Sequence, residues 1–228
     1  ENVAQLRDEQ QVLIIIGPGG TGKTSILRMA EALIDYFAGP ESVRKCAISN
    51  TAARLLKGDT LHALCKLPLK DLQNRMGKLT PPVLKKHRKR WKSAKAMFLD
   101  EISMVAPDQL LQADVRLRQA RGDEEHSFGN LICVFTGDFL QLPPVKKKTL
   151  ATKMDEQGLI KRDDGSSDDA DQERAEPEVR QGLTLWHSIE NVFSLCMNIR
   201  APGILSRMQQ EMRQGQISSA RWQLYESR

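Results

Sequence analysis

The sequence has no long hydrophobic run. Its longest apolar stretch, Val12 to Ile16, falls far short of the roughly 20 residues a membrane-spanning helix needs, so no membrane partner is expected. The start, Glu1-Asn2-Val3, lacks the basic segment of a signal peptide. Glu1 in place of an initiator Met reads as the start of a fragment or a processed product. Cysteine is scarce: Cys46, Cys65, Cys133 and Cys196 form no CxxC pair and no zinc-ligand pattern with histidine, which excludes zinc modules and disulfide scaffolds. The expectation is buried free thiols in an intracellular, reducing compartment. Nor does one sign of charge dominate. A net charge of +5 permits a polyanionic partner without establishing one. The charge is uneven, however: Lys85 to Lys95 is densely basic and Asp163 to Glu178 mostly acidic.

What remains is a chain of 228 residues, 40% hydrophobic and 28% charged, the profile of a globular domain that needs no covalent staples. Val12 to Ile16 reads as a strand buried on both faces, as in a parallel sheet. A Gly-rich turn follows, then a helix from about Lys23 to Phe37, with Ile26, Leu27, Ala30, Leu33, Ile34 and Phe37 at three- and four-residue steps. The alternation continues. Strands are expected over Lys45 to Ser49, Ala94 to Leu99, Leu131 to Phe135 and Val192 to Met197. Helices are expected over Thr51 to Lys57, Pro107 to Ala120, Ile204 to Arg213 and Ala220 to Glu226. This pattern implies an α/β fold, a parallel sheet with helices on both faces and ligands at the carboxyl ends of its strands. Two stretches interrupt it. Lys66 to Arg90 reads as an excursion with one basic helix, and Lys146 to Gln181 as a largely disordered acidic loop, about residues 150–180 at its core.

Gly17-Pro18-Gly19-Gly20-Thr21-Gly22-Lys23-Thr24 matches GxxxxGK[ST] in full, between an expected strand and an expected helix. Its glycines let backbone N–H groups approach phosphate oxygens, and the helix adds its positive end. Lys23 is placed to reach the β- and γ-phosphates and the Thr24 hydroxyl to ligate Mg²⁺. Met97-Phe98-Leu99-Asp100-Glu101 supplies the acids such a site requires. Asp100 would hold Mg²⁺ through its water shell, and Glu101 would orient or deprotonate the attacking water. ATP and Mg²⁺ are the cofactors implied, in a P-loop NTPase.

Asp100-Glu101-Ile102-Ser103-Met104-Val105 and Gly137-Asp138-Phe139-Leu140-Gln141-Leu142-Pro143-Pro144-Val145 resemble the second and third motifs of the petite-integration-frequency (PIF) DNA helicases. The P-loop is most similar to that of their Helitron-type branch. The resemblance spans nearly the whole chain apart from the acidic loop. It implies the first RecA-like motor domain of an ATP-dependent, 5′-to-3′ DNA helicase acting on single-stranded DNA. The setting it implies is nuclear, with mitochondria as the alternative, in DNA repair, recombination and telomere maintenance. It further implies that Gln141 senses the γ-phosphate and that Arg200, in Asn198-Ile199-Arg200-Ala201, stabilises charge on it. The stretch from Ala47 to His62 is similar to the family's first DNA-contacting motif, which makes Ser49, Asn50, Thr60 and His62 candidate DNA contacts. There Asn50 would replace a glycine in a left-handed turn. Trp91, at the end of the basic run, reads either as a base-stacking surface or as a ring packed on the sheet.

No second set of strands and no second catalytic arginine follows within these residues, and Gln5, Gln10 and Gln11 leave the adenine-recognising glutamine unassigned. A second RecA-like domain, in cis or in trans, is therefore an expected partner. The competing expectation is a catalytically silent nucleotide-binding remnant or interaction module from a mobile element.

Overall fold

The computed structural model describes residues 11–68, 77–155, 159–160, 173–174, 176–200, 203–213 and 215. Along the chain run β1 (Val12–Ile16), α1 (Lys23–Ala38), β2 (Val43–Ala47), α2 (Asn50–Leu55), β3 (Asp59–Thr60), α3 (Leu61–Cys65), α4 (Pro81–Trp91), β4 (Ala96–Asp100), α5 (Pro107–Arg121) and β5 (Ile132–Gly137). Then come β6 (Leu159–Ile160), β7 (Glu173–Arg174), α6 (Pro177–His187), β8 (Asn191–Ser194) and α7 (Ile204–Arg213). Six strands form one sheet in the order β3-β2-β4-β5-β1-β8, every pair parallel. β6 and β7 pair separately as a short antiparallel ribbon.

The strands bury alternate side chains in two cores, as a period of two requires. Ile14, Cys46, Met97, Leu99, Cys133 and Phe135 face one side, packed with Leu64 of α3, Trp91 of α4, Leu110 and Leu117 of α5 and Trp186 of α6. Ile15, Ala47, Ala96, Phe98 and Val134 face the other, against Leu27 of α1 and Ala53 of α2. The expected α/β architecture with helices on both faces is therefore present. Register then sets the site. Ile16 lies opposite Gly137 and Ser194, Leu99 opposite Phe135, and Ala47 opposite both Asp100 and Thr60. The carboxyl ends of the strands thus share one rim.

Three expectations need correction, and one open alternative is settled. The end of the stretch read as an acidic loop is ordered, because Pro177 opens α6 and Leu183 and Trp186 bury its inner face. Leu150 and Ile160 are buried as well; the acidic centre, 161–172, lies outside the described residues, as do Ala220 to Glu226. Asn50 is not a left-handed turn residue: it is the first residue of α2, which Ser49 caps by accepting from the Ala52 amide at 3.2 Å. Trp91 is fully buried and presents no stacking surface, so the packed reading holds. Of the thiols, Cys46, Cys65 and Cys133 are buried but Cys196 is exposed, since it follows the edge strand β8.

α4 turns its cationic side chains outward and buries His87 beside Trp91, ring centroids 6.2 Å apart. Burial pushes the His87 imidazole down to about 4, the Arg116 carbonyl opposes this, and the charges of Lys66, Arg90 and Arg116 add to it. The folded chain thus keeps His87 neutral where the unfolded chain protonates it, so stability falls as pH drops from 6.5 towards 4. A loss of roughly 1–3 kcal/mol over that window is expected, and His87→Phe should remove most of it in urea melts at several pH values. At the α5–α6 contact, a Cβ on Gly182 would lie 2.0 Å from the Pro107 carbonyl oxygen. Gly182→Ala should therefore cost about 1–3 kcal/mol by thermal or urea melting.

Candidate nucleotide site

The loop after β1 is fixed from both sides. The Gly17 amide donates to the Gly137 carbonyl at 3.1 Å, and the Leu195 amide to the Ile16 carbonyl at 2.8 Å. Thr21 Oγ1 donates to the Pro18 carbonyl at 2.9 Å, and Gly22 caps α1 in a left-handed conformation at φ 93°. The Lys23 ammonium bends back over the loop to the carbonyls of Gly17 and Pro18, at 2.6 and 3.0 Å. A triphosphate would compete for that ammonium. Burial lowers the Lys23 pKa, while Asp138, Asp100 and Glu101 oppose the shift and Arg213 adds to it.

The acids come from the tip of β4. Asp100 Oδ1 accepts from Thr136 Oγ1 of β5 at 2.6 Å and from the Glu101 amide at 2.9 Å. Glu101 sits at φ 59°, a left-handed conformation that a non-glycine residue adopts at a cost. Burial raises its pKa, Asp100 and Asp138 push the same way, and Lys23 opposes them. A carboxyl so placed is suited to take a proton from water.

One cavity of about 500 Å³ collects these groups: Gly19, Gly20, Gly22, Lys23, Thr24, Asp100, Glu101, Gln141 and Arg200 all line it. Thr24 is exposed and lines the same cavity as Asp100, so the donor set, a hydroxyl and a carboxylate, fits a hard divalent ion. The segment after β8 lies across the loop. The amides of Ile199 and Arg200 donate to the Gly20 carbonyl at 3.0 and 3.3 Å. The expected DNA residues stand further along the rim and do not enter this cavity. Ser49 caps α2, Thr60 caps α3 by accepting from the Ala63 amide at 3.2 Å, and Asn50 begins α2. His62 is half-buried in α3, its pKa lowered by burial and by Lys147.

A family model described as PIF1-like helicase matches residues 2–161. The chain belongs to the PIF1-like helicase family. The ATP-dependent DNA helicase PIF1 of Saccharomyces cerevisiae (strain YJM789) is 32% identical over 149 residues, 64% of this chain and 17% of the relative. RRM3, an ATP-dependent DNA helicase of S. cerevisiae (strain ATCC 204508 / S288c), is 33% identical over 151 residues, 64% of this chain and 19% of its own length. Among solved structures, Pif1 helicase from Candida albicans superposes with a TM-score of 0.65 at 25% identity, covering 92% of this chain and 42% of that one. Pif1 helicase from Bacteroides in complex with ADP-AlF3 and ssDNA gives 0.63 at 21% identity, covering 95% and 46%. The fold is therefore that of the RecA-like P-loop ATPases. This PIF1-like chain spans about a fifth of those curated relatives and under half of those solved chains.

Two groups at the site had no role in the sequence reading. Asp138, within the GDFLQLPPV stretch, and Arg213, at the end of α7, form a two-bonded ion pair at 2.6 Å on each arm. A Cβ on Gly20, which has φ +86°, would lie 2.5 Å from Asn198 Oδ1 and 3.0 Å from the Arg200 Cβ. Gly20→Ala should displace the overlying segment and speed hydrogen exchange at the Ile199 amide by about tenfold or more, with β5 amides unchanged. Unchanged exchange at Ile199 would contradict the strap geometry.

Proposed function

We propose that the chain is the first RecA-like motor domain of an ATP-dependent, 5′-to-3′ DNA helicase. In this reading it binds and hydrolyses ATP with Mg²⁺ to move on single-stranded DNA, completed by a second RecA-like domain in cis or in trans. One observation carries the reading: the P-loop lysine, Asp100 and Glu101 at the tip of β4, Gln141 and Arg200 line a single cavity. The GPGGTGK loop supports the Helitron-type branch, and nuclear DNA, or alternatively mitochondrial DNA, is the setting it implies.

The chemistry follows from the placement. Backbone N–H groups of Gly19–Thr24, at the loop and the start of α1, hold the phosphates, and Lys23 exchanges its two carbonyl partners for their oxygens. Thr24 and Asp100 would hold Mg²⁺, which supplies positive charge to the phosphate oxygens when bound. Asp100 is oriented for this by Thr136 and by the Glu101 amide. Glu101 takes the proton from the attacking water, its raised pKa making it a better base than an exposed carboxylate. Gln141 reads the presence of the γ-phosphate, and Arg200 stabilises charge as the bond breaks. Ser49, Asn50, Thr60 and His62, at the ends of β2 and β3 on the same rim, are the proposed DNA contacts. The Ser49 and Thr60 hydroxyls accept cap hydrogen bonds and keep their own protons for a phosphate oxygen.

Phosphate release from ATP should require Mg²⁺ and fall by about 100-fold or more in Lys23→Ala and Glu101→Gln. The rate should rise with pH through the elevated Glu101 pKa and then level, because the ionised carboxylate is the active form. Single-stranded DNA should stimulate it when a second motor domain is supplied, less so as salt increases. ATP binding with no release in any of these conditions would instead favour the silent nucleotide-binding module.

A further inference from the structure

Asp138 is the most heavily hydrogen-bonded carboxylate at the site, yet it is not the metal-side acid. Its side chain is 3% exposed. Arg213 Nη1 donates to Oδ2 and Nη2 to Oδ1, each at 2.6 Å, in the parallel two-bonded geometry that only a guanidinium offers. The Leu140 amide donates to Oδ1 at 3.2 Å, and the Gln141 side-chain Nε2 to Oδ2 at 2.9 Å. The Gln141 amide closes the same turn on the Asp138 carbonyl at 2.9 Å. Gln141 Nε2 also lies 3.9 Å from where a Cβ on Gly19 would stand, so the carboxamide sits against the P-loop.

We propose that Arg213 is a positioning residue: by gripping both oxygens of Asp138, it fixes the Gln141 carboxamide at the P-loop and ties that orientation to α7. This rests on the motor reading of the site, and it concerns a residue to which that reading gives no role. The logic is one of donor and acceptor. An ionised carboxylate only accepts, so Asp138 must meet the NH₂ end of Gln141, which points the amide oxygen the other way. Burial would push Asp138 up, but the hydrogen bonds of Arg213, Leu140 and Gln141 and the Arg213 charge hold it below the ordinary carboxylate range. Without Arg213, a protonated Asp138 would present a donor, and the reason for that orientation would be gone. Arg213 lies 75 residues beyond Asp138 and ends α7, which follows the segment bonded to Gly20. Movement of α7 therefore reaches the sensor through one ion pair, and the Lys23 ammonium already senses both members of it.

The test uses the 228-residue chain labelled with ¹⁵N, the Gln141 side-chain amide signals being assigned by their loss in Gln141→Ala. In the unaltered chain these signals should be shifted away from those of exposed glutamines and constant above the ordinary carboxylate range. In Arg213→Ala they should move towards the exposed position and titrate with pH. Arg213→Lys should restore them only in part, since an ammonium cannot make the paired bonds. In parallel, kcat for ATP should fall about tenfold or more in Arg213→Ala, with KM and ADP affinity within about threefold. Unmoved Gln141 signals in Arg213→Ala would overturn the proposal. So would equal losses of ATP and ADP affinity with a lowered melting point, the mark of a merely structural clamp. If the unaltered chain releases no phosphate even with a second motor domain and single-stranded DNA supplied, the motor reading fails, and the amide signals still decide whether Arg213 sets Gln141.

Discussion

The Lys23 ammonium is held by two carbonyls of its own loop in the field of three carboxylates from two neighbouring strands. Burial works against its charge while Asp138, Asp100 and Glu101 work for it. That balance exists only because β1, β4 and β5 run parallel and end on one rim, with Ile16 level with Gly137 and Leu99 with Phe135. Shift one strand by a single residue and the acid that faces the loop would face a core instead. The two apolar cores are thus part of the site's design: they fix the register that brings opposite charges together.

Around this centre the chain keeps conformations it would not choose alone. Glu101 is left-handed at φ 59°, and Gly20, at φ +86°, lies under the 198–200 segment with no room for a side chain. Such local cost is tolerated where surrounding structure over-determines it. Here that structure is the Asp100 carboxylate, bonded to both Thr136 and the Glu101 amide, and the amides of Ile199 and Arg200 on Gly20. The outcome is a loop held open on one side for phosphate and bridged on the other by the chain that leads to α7.

Much of this was legible in the sequence because its signals are local. Val12 to Ile16 announces a strand buried on both faces, and the eight residues after it carry the phosphate loop in unbroken order. The acids at 100 and 101 follow a second apolar run. What escaped was either long-range or hidden by composition. The Arg213–Asp138 pair spans 75 residues, and no local pattern joins its two partners. α6 begins within an acidic stretch, and its binding to α5 rests on Gly182, whose value is the absence of a side chain. Asn50 suggested a turn by its propensity, but the Ser49 cap makes it the first residue of a helix. Trp91 looked available beside six cations, whereas the helix face that carries it and His87 is the buried one.

The central claim is that loop and acids form one site for a triphosphate and its metal. Calorimetric titration of the chain with ATP, with and without Mg²⁺, addresses it most directly, repeated with Asp100→Ala. The account requires that Mg²⁺ strengthen ATP binding in the unaltered chain and that Asp100→Ala abolish the strengthening while leaving metal-free binding in place. Absence of ATP binding, or a Mg²⁺ effect that survives the loss of Asp100, would contradict it.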